Sequence, residues 1–454
     1  MQIINQNGFQ RSFTFKENTM KKLLTILAAF SLSMILRAQD DVYPAKENKG
    51  LIFITNATVH VGNGTVIENA TVKINKDKIE QVGQNIAIPS GDVKVFDVKG
   101  KHVYPGLILS NSQIGLVEVS SVRATADANE IGELNPNIRS IVAYNSDSKI
   151  INTLKSNGIL LANICPDGPI LSGSSSVVQF DAWNCEDAAY KLDNGIHMNM
   201  PTLINRPNPF AEFLGIRGPQ GDPVKRGLEQ IETLKSFFRQ AKAYAAQDKH
   251  DNTNLKFESV RGLFDKKQKL FIHCDLVKEI LVAIDFVKEF GFDVVLVGAS
   301  ESWQMADLIK QNNMSVILSQ AHNLPTMVDD DIDQPYKAAS YLQKAGVLYS
   351  INDEDGNTRS HNLAFKAGTY AAYGISKEEA LTAITLSAAK ILGVGDRTGS
   401  IEVGKDANIV VSEGDILDMR TSIITHAFIQ GRIVDLTDKH KQLYERYKGK
   451  YGIK

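Results

Sequence analysis

Imidazole and carboxylate side chains follow two apolar, strand-like runs of this chain. His273 ends the run Leu270–His273, and Asp353 comes after the run Val347–Ile351. Such groups can bind a metal ion or transfer a proton when a fold brings them together. Each also has an ordinary structural interpretation, because a histidine can bond to backbone and a carboxylate can lie in a solvated turn. Both interpretations stay open at this point.

Three further histidines lie near other strand-like runs. They are His197, His322 and His361, and together with His273 and Asp353 they could form a set of ligands. Spacing along the chain does not show that these five side chains converge.

Acidic residues are concentrated in two late segments. A surface of this sign would suit a cationic substrate or a hard cation such as calcium. A solvated run of charges is the alternative interpretation. The residues concerned are Asp329, Asp330, Asp331, Asp333, Glu354 and Asp355.

Sequence motifs for several other chemistries are missing. No GxGxxG opens a helix after a first strand, and no P-loop is present, so a nucleotide-binding open sheet loses support. The segment Ser172–Ser176 lacks the GxSxG spacing of a hydrolase nucleophile and instead predicts a turn that leads into a strand.

The elements that must position these residues alternate along the middle of the chain. Apolar runs such as Val103–Asn111, Leu270–His273 and Val294–Val297 have the length of strands. Segments with apolar residues at helical spacing lie between such runs. This alternation predicts parallel strands with helices outside, and over this length it favours a closed barrel.

Both flanks of the barrel region carry β patterns without helices between them. The late strands most simply complete an early antiparallel sheet, which predicts an α/β protein: a TIM-type (β/α)8 barrel with a small β-sandwich domain formed by both chain ends. The predicted domains are an N-terminal extension and signal peptide (1–38), the first part of the sandwich (50–101), the barrel (102–395), the second part of the sandwich (396–436) and a polar tail (437–454).

Three segments in the expected order resemble the amidohydrolase superfamily, in its imidazolonepropionase-like branch. Lys101–Ile108 is similar to the family's passage from sandwich to barrel, Ala380–Gly393 to its closing helix, and Gly399–Val410 to its return to the sandwich. Residues 116–136 further resemble a secreted subgroup. The three segments frame most of the chain.

The resemblance implies a metal-assisted hydrolase. Family members bind one or two divalent ions, usually zinc, through a His-x-His after the first barrel strand and further ligands after later strands. The last of these ligands is an Asp after the eighth strand, which also takes a proton from the metal-bound water. Here Asn111 and Gln113 stand where the two histidines belong, and Val297-Gly298 offers no ligand at the sixth strand. A ligand after the fourth strand cannot be located.

The resemblance therefore assigns roles to a reduced set of residues. Asp353 is the expected general base, and His273 and His322 are candidate metal ligands. The expected cofactor is one divalent ion, zinc being the expected element, or none. Candidate substrate-binding residues are His361, Asp355, Asn111 and Gln113.

The N-terminal segment resembles a secretory signal peptide. Met20-Lys21-Lys22 precedes the apolar run Leu23–Leu36, which is short for a membrane span. We therefore expect a periplasmic or secreted protein that begins near Gln39 and is not inserted in the membrane after cleavage. A net charge of −2 without a basic stripe gives no support to nucleic-acid binding.

Two functions follow from these observations. The first is a secreted hydrolase of non-peptide C–N bonds that acts on a small molecule through a metal-activated water. The alternative is a catalytically inactive barrel that serves as a binding protein or as the partner subunit of an active amidohydrolase, since fold alone does not secure function. A homo-oligomer is a further expectation.

Overall fold

The computed structural model describes Lys22 and residues 43–168, 170–204, 222–247, 249–319, 321–354 and 359–453. Apart from Lys22, the predicted signal peptide lies outside the described residues, as does Asp355. Among the described helices, none combines the length and the apolarity that a bilayer span requires.

The first sheet joins strands from both ends of the chain. Its strands are β1 (Leu51–His60), β2 (Val66–Asn75), β3 (Lys78–Gly83), β4 (Lys94–Asp97), β5 (His102–Pro105), β14 (Ile409–Ser412), β15 (Ile424–Ile429) and β16 (Arg432–Ile433). They lie in the order β16-β15-β14-β5-β1-β2-β3, with β4 beside β1. The late strand β14 pairs antiparallel with β5, so the predicted small domain formed by both chain ends is confirmed.

The second sheet has eight strands in chain order and forms the barrel. They are β6 (Leu107–Ser112), β7 (Ile159–Ile164), β8 (Leu171–Gln179), β9 (Ala189–Asn199), β10 (Lys269–Cys274), β11 (Val294–Gly298), β12 (Ser315–Leu318) and β13 (Tyr349–Ile351). Most are buried on both faces, which explains their apolar runs. The predicted barrel is confirmed.

One barrel strand runs against the others. β8 pairs antiparallel with both β7 and β9, because the connection between Ile164 and Leu171 is too short for a parallel crossover. The interpretation of Ser172–Ser176 as a turn was wrong, since these residues lie in β8 and are buried. Three of the serine hydroxyls tolerate burial because they find partners: Ser175 Oγ donates to Asn194 Oδ1 over 2.8 Å, Ser174 Oγ donates to Asp193 Oδ1, and Ser176 Oγ accepts from the backbone N–H of Asp193.

The run predicted as one strand over Val103–Asn111 is divided at Gly106. Residues before this glycine pair in the small sheet, and residues after it pair in the barrel. A Cβ atom on Gly106 would lie 2.6 Å from the side chain of Leu160, so a glycine is needed where the chain passes from one sheet to the other.

Helices surround the barrel, and one further helix lies near the C-terminus. They are α1 (Ser140–Ala143), α2 (Lys149–Lys155), α3 (Cys185–Ala188), α4 (Pro223–Ala245), α5 (Leu255–Ser259), α6 (Arg261–Phe264), α7 (Val277–Phe290), α8 (Ala306–Gln311), α9 (Gln334–Lys344), α10 (Leu363–Ala372), α11 (Lys377–Ala383), α12 (Leu386–Leu392) and α13 (Lys439–Tyr451). Short 3-10 helices cover Arg123–Thr125, Ser302–Met305 and Ser360–Asn362. The segment interpreted as a polar tail thus contains α13, whose first turn is capped by the Asp438 carboxylate.

The first and last barrel strands are joined through the buried side chain of Asn352. Its Oδ1 accepts from the backbone N–H of Ser110 over 2.9 Å, and its Nδ2 donates to the carbonyl of Asn111 over 2.8 Å. A hydroxyl pair, Ser110 Oγ to Ser350 Oγ at 2.9 Å, adds to this seam. Backbone N–H and C=O groups of β6 that face β13 therefore find their hydrogen-bond partners in the Asn352 side chain.

Replacing Asn352 by Ala should destabilise the protein by about 2–4 kcal/mol, because buried backbone groups of Ser110 and Asn111 would lose their partners. Ser350→Ala removes only the hydroxyl pair and should cost about 1 kcal/mol. Urea unfolding of both variants measures the difference. An equal or larger cost for Ser350→Ala would contradict this account of barrel closure.

Candidate functional site

A cavity of about 260 Å³ opens at the carboxyl ends of the barrel strands. Five residues singled out from the sequence line it together: Asn111, Gln113, His273, Asp353 and Glu354. They reach it from β6, β10 and the end of β13, because parallel strands deliver their ends to the same face of a barrel. The structure thus brings these five residues to one cavity.

Other candidates lie elsewhere. His322 lines a separate cavity of about 520 Å³, and its Nε2 is 3.0 Å from the hydroxyl of Thr369. His361 is not among the described residues that line either cavity. His273 and His322 thus line different cavities.

Asp353 is buried beside a lysine that the sequence analysis did not identify. The Nζ atom of Lys366, on α10, lies 4.0 Å from Oδ1 of Asp353. The Ser360 hydroxyl also donates to the carbonyl of Asp353 over 3.3 Å. One signal in the sequence marks Lys366: it is the single charged residue of the helix LAFKAGTYAA.

His273 is paired with His197 of the neighbouring strand. The Nε2 atom of His273 is 2.9 Å from Nδ1 of His197, whose ring stacks on Phe271. Burial lowers the pKa of His197 well below its usual value. Burial also lowers the pKa of His273 to about 4, although Asp167 and Asp275 oppose this change. Both rings are therefore neutral near pH 7, with one donating and the other accepting.

Where β6 and the end of β13 border the cavity, two amide side chains lie close to a carboxylate. Asn111 Nδ2 donates to Glu354 Oε1 over 2.9 Å, and Asn352 Nδ2 lies 3.4 Å from the same oxygen. Glu354 is exposed, but desolvation by the surrounding groups raises its pKa, against the lowering effect of its bonds to Asn111, Ser319 and Asn352. Asn111, which stands where the resemblance places a histidine, thus donates a hydrogen bond to a carboxylate.

The position after the fourth strand, which the sequence left unassigned, is occupied by Asn199. It ends β9 directly opposite His273 in the strand register and donates to the carbonyl of Gly168. Asp167 and Cys165, which follow β7, also line the cavity and were not predicted. Only the barrel register connects these residues with His273.

The donors present do not fit the metal centre that the resemblance implies. In the described parts of the chain, no group of three or more His, Cys, Asp and Glu side chains is arranged to hold a metal ion. Asn111, Gln113 and Asn199 contribute neutral amides, which are weak zinc ligands. The Nε2 atom of His273 faces His197.

The larger cavity has an acidic and partly apolar lining. Asp275 and Asp330 contribute carboxylates, and Trp303 and Tyr370 contribute aromatic rings. Asp275 Oδ1 accepts from the hydroxyl of Ser300 over 2.6 Å. No Lys or Arg is found among the described residues that line this cavity or the smaller one.

Comparisons with known proteins agree with the resemblance. A family model described as "Amidohydrolase family" matches residues 311–434, which contain Asp353. Amidohydrolase tasK of Hapsidospora irregularis is 20% identical over 356 residues, which cover 72% of this chain and only 36% of that protein. The imidazolonepropionase of Thermoplasma volcanium is 25% identical over 362 residues, which cover 77% of this chain and 85% of that protein.

A similar fold is known from a crystal structure. The amidohydrolase from Thermotoga maritima is 26% identical to this chain and aligns with a TM-score of 0.72, covering 85% of this chain and 99% of that one. The aligned region is long enough to include most of the barrel and the small sheet.

The His197–His273 pair predicts an acid-sensitive stability. In the unfolded chain a histidine takes up a proton near pH 6.5, whereas folded His273 does so near pH 4, so stability is lost as the pH falls between these values. His273 alone should account for about 2–3 kcal/mol. Urea unfolding at pH 7 and pH 4.5 measures the loss.

The variant His273→Asn should show a correspondingly smaller loss between the two pH values, and replacing the exposed His440 by Asn provides a matched control. If His273→Asn loses as much stability as the wild type, the neutral His273 ring is not the cause.

Proposed function

We propose that this chain, an imidazolonepropionase-like member of the amidohydrolase superfamily, hydrolyses a non-peptide C–N bond of a small molecule in the strand-end cavity. The observation that carries the proposal is the position of Asp353, a buried carboxylate at the end of the last barrel strand that lines a cavity together with His273. Hydrolysis needs a base for the attacking water, and Asp353 is the residue we assign to that role.

The charges of the mouth support a particular class of substrate. The carboxylates of Asp167, Asp353 and Glu354 line the smaller cavity, and those of Asp275 and Asp330 line the larger one. Since the described lining contains no Lys or Arg, an anionic substrate would be repelled. We propose a neutral or cationic substrate, such as an amide or lactam that carries an amine.

We further propose that at most one divalent ion, zinc if any, is held per chain. A bridged pair of ions needs several anionic or imidazole ligands to offset their repulsion and the loss of hydration. The amides at Asn111, Gln113 and Asn199 do not supply them.

One specific observation favours the alternative of an inactive binding barrel or partner subunit. Asn111 donates to Glu354, and Nε2 of His273 lies within hydrogen-bond distance of His197, so two positions that would serve catalysis in the family are engaged in structural contacts. Such a protein would bind the same cationic molecules without converting them.

The activity is tested with matched amides that differ only in carrying an amine or a carboxylate. We expect hydrolysis of the amine-bearing compound, and we expect Asp353→Asn to lower kcat/KM by about a hundredfold or more through loss of the base. Asp147→Asn, at an exposed carboxylate, is the control.

Saturable binding of the amine-bearing compound without turnover would favour the binding barrel. Preference for the carboxylate compound, or full activity of Asp353→Asn, would contradict the proposed reaction.

Export from the cytoplasm is also part of the proposal and is supported by Lys21-Lys22 followed by the apolar run Leu23–Leu36. We expect the protein from its native host to have an intact mass that begins near Gln39. A soluble cytoplasmic form whose mass includes Leu23–Leu36 would disprove export.

A further inference from the structure

Lys366 and Asp353 form an ion pair that is almost completely buried. The exposed fractions of their side chains are 5% and 0%. Lys366 shares its helix with the buried residues Leu363, Ala367 and Tyr370, which follow the core-facing stripe of α10. Its ammonium is thus placed in the interior by the helix itself, where a surface lysine would extend toward water.

A buried charge is tolerated only when another charge or several hydrogen bonds compensate it. The resemblance places a metal ligand at the position of Asp353, so a cation would balance this carboxylate in a metal-containing barrel. In this chain the other donors do not fit a metal, whereas an ammonium lies 4.0 Å from Oδ1 of Asp353.

We propose that Lys366 takes the electrostatic place of a metal ion at Asp353. Its fixed positive charge balances the buried carboxylate, and the same charge repels a divalent cation that would use Asp353 as a ligand. Lys366 is a positioning residue in this role, because it acts through Asp353 and is not among the residues that line the cavity. The inference does not depend on the proposed hydrolysis and applies equally to an inactive barrel.

The proposal predicts that removing the ammonium creates affinity for a metal ion. The wild type and Lys366→Arg, which keeps the charge, should retain no zinc after zinc loading and desalting. Lys366→Met should bind zinc at least about tenfold more tightly than the wild type, since the repulsion is gone. The double variant Lys366→Met/Asp353→Asn should lose this gain, because Asp353 is the ligand concerned.

Elemental analysis and competition with a chromogenic chelator measure retention and affinity. Tight zinc binding by the wild type overturns the proposal without any variant, and so does a folded Lys366→Met whose zinc affinity equals that of the wild type. The melting temperature covers the case in which Lys366→Met does not fold: a double variant more stable than each single variant supports charge balance, and additive losses overturn it.

These measurements are independent of turnover. Inactivity toward every amide, combined with the expected zinc results, would reject the proposed hydrolysis and leave the role of Lys366 intact. Activity that is lost with Asp353→Asn, combined with tight zinc binding by the wild type, would support the proposed hydrolysis and reject the role proposed for Lys366.

Discussion

The seam between the first and last barrel strands is the interaction on which the site depends. A parallel barrel satisfies its backbone through ladders between neighbours, but here Asn352 supplies both a donor and an acceptor to β6. Asn352 immediately precedes Asp353, so the amide that closes the barrel also fixes the carboxylate at the cavity. Glu354, bonded to Asn111, extends the same connection into the mouth.

A second buried carboxylate links the barrel to the small sheet. Asp406, next to β14, accepts hydrogen bonds from Tyr190 of barrel strand β9 and from Arg397, and it pairs with Lys78 of β3. Because a buried carboxylate is costly unless it is paired and hydrogen-bonded, this cluster holds residues from distant parts of the chain together. The two sheets are thereby joined by polar contacts as well as by the passage at Gly106.

The chain keeps the superfamily architecture while its strand ends carry different side chains. Apolar strands tolerate such changes, since the core packs on the strand interiors and the site is built at their ends. Three amides at the ends of two strands, a histidine pair between two strands and a lysine behind the last strand form a consistent set. In this set, neutral groups and an ammonium stand where metal ligands and a metal are expected. Function is consequently decided by this site and not by the fold.

The sequence by itself determined the architecture, because strand-length apolar runs, helical spacing and three framing segments are local patterns that survive without coordinates. It also placed Asn111, Gln113, His273 and Asp353 at strand ends, and the barrel brought these four together. Its interpretation of Ser172–Ser176 failed because hydroxyl partners that allow serine to be buried are not visible in sequence.

Only the tertiary structure decided which partner each site residue has. The pairing of His273 with His197, the position of Asn199 opposite His273, and the burial of Lys366 beside Asp353 depend on strand register and helix packing. Contacts between residues far apart in the chain cannot be derived from spacing, since a one-residue change of register would turn each side chain to the other face of the sheet.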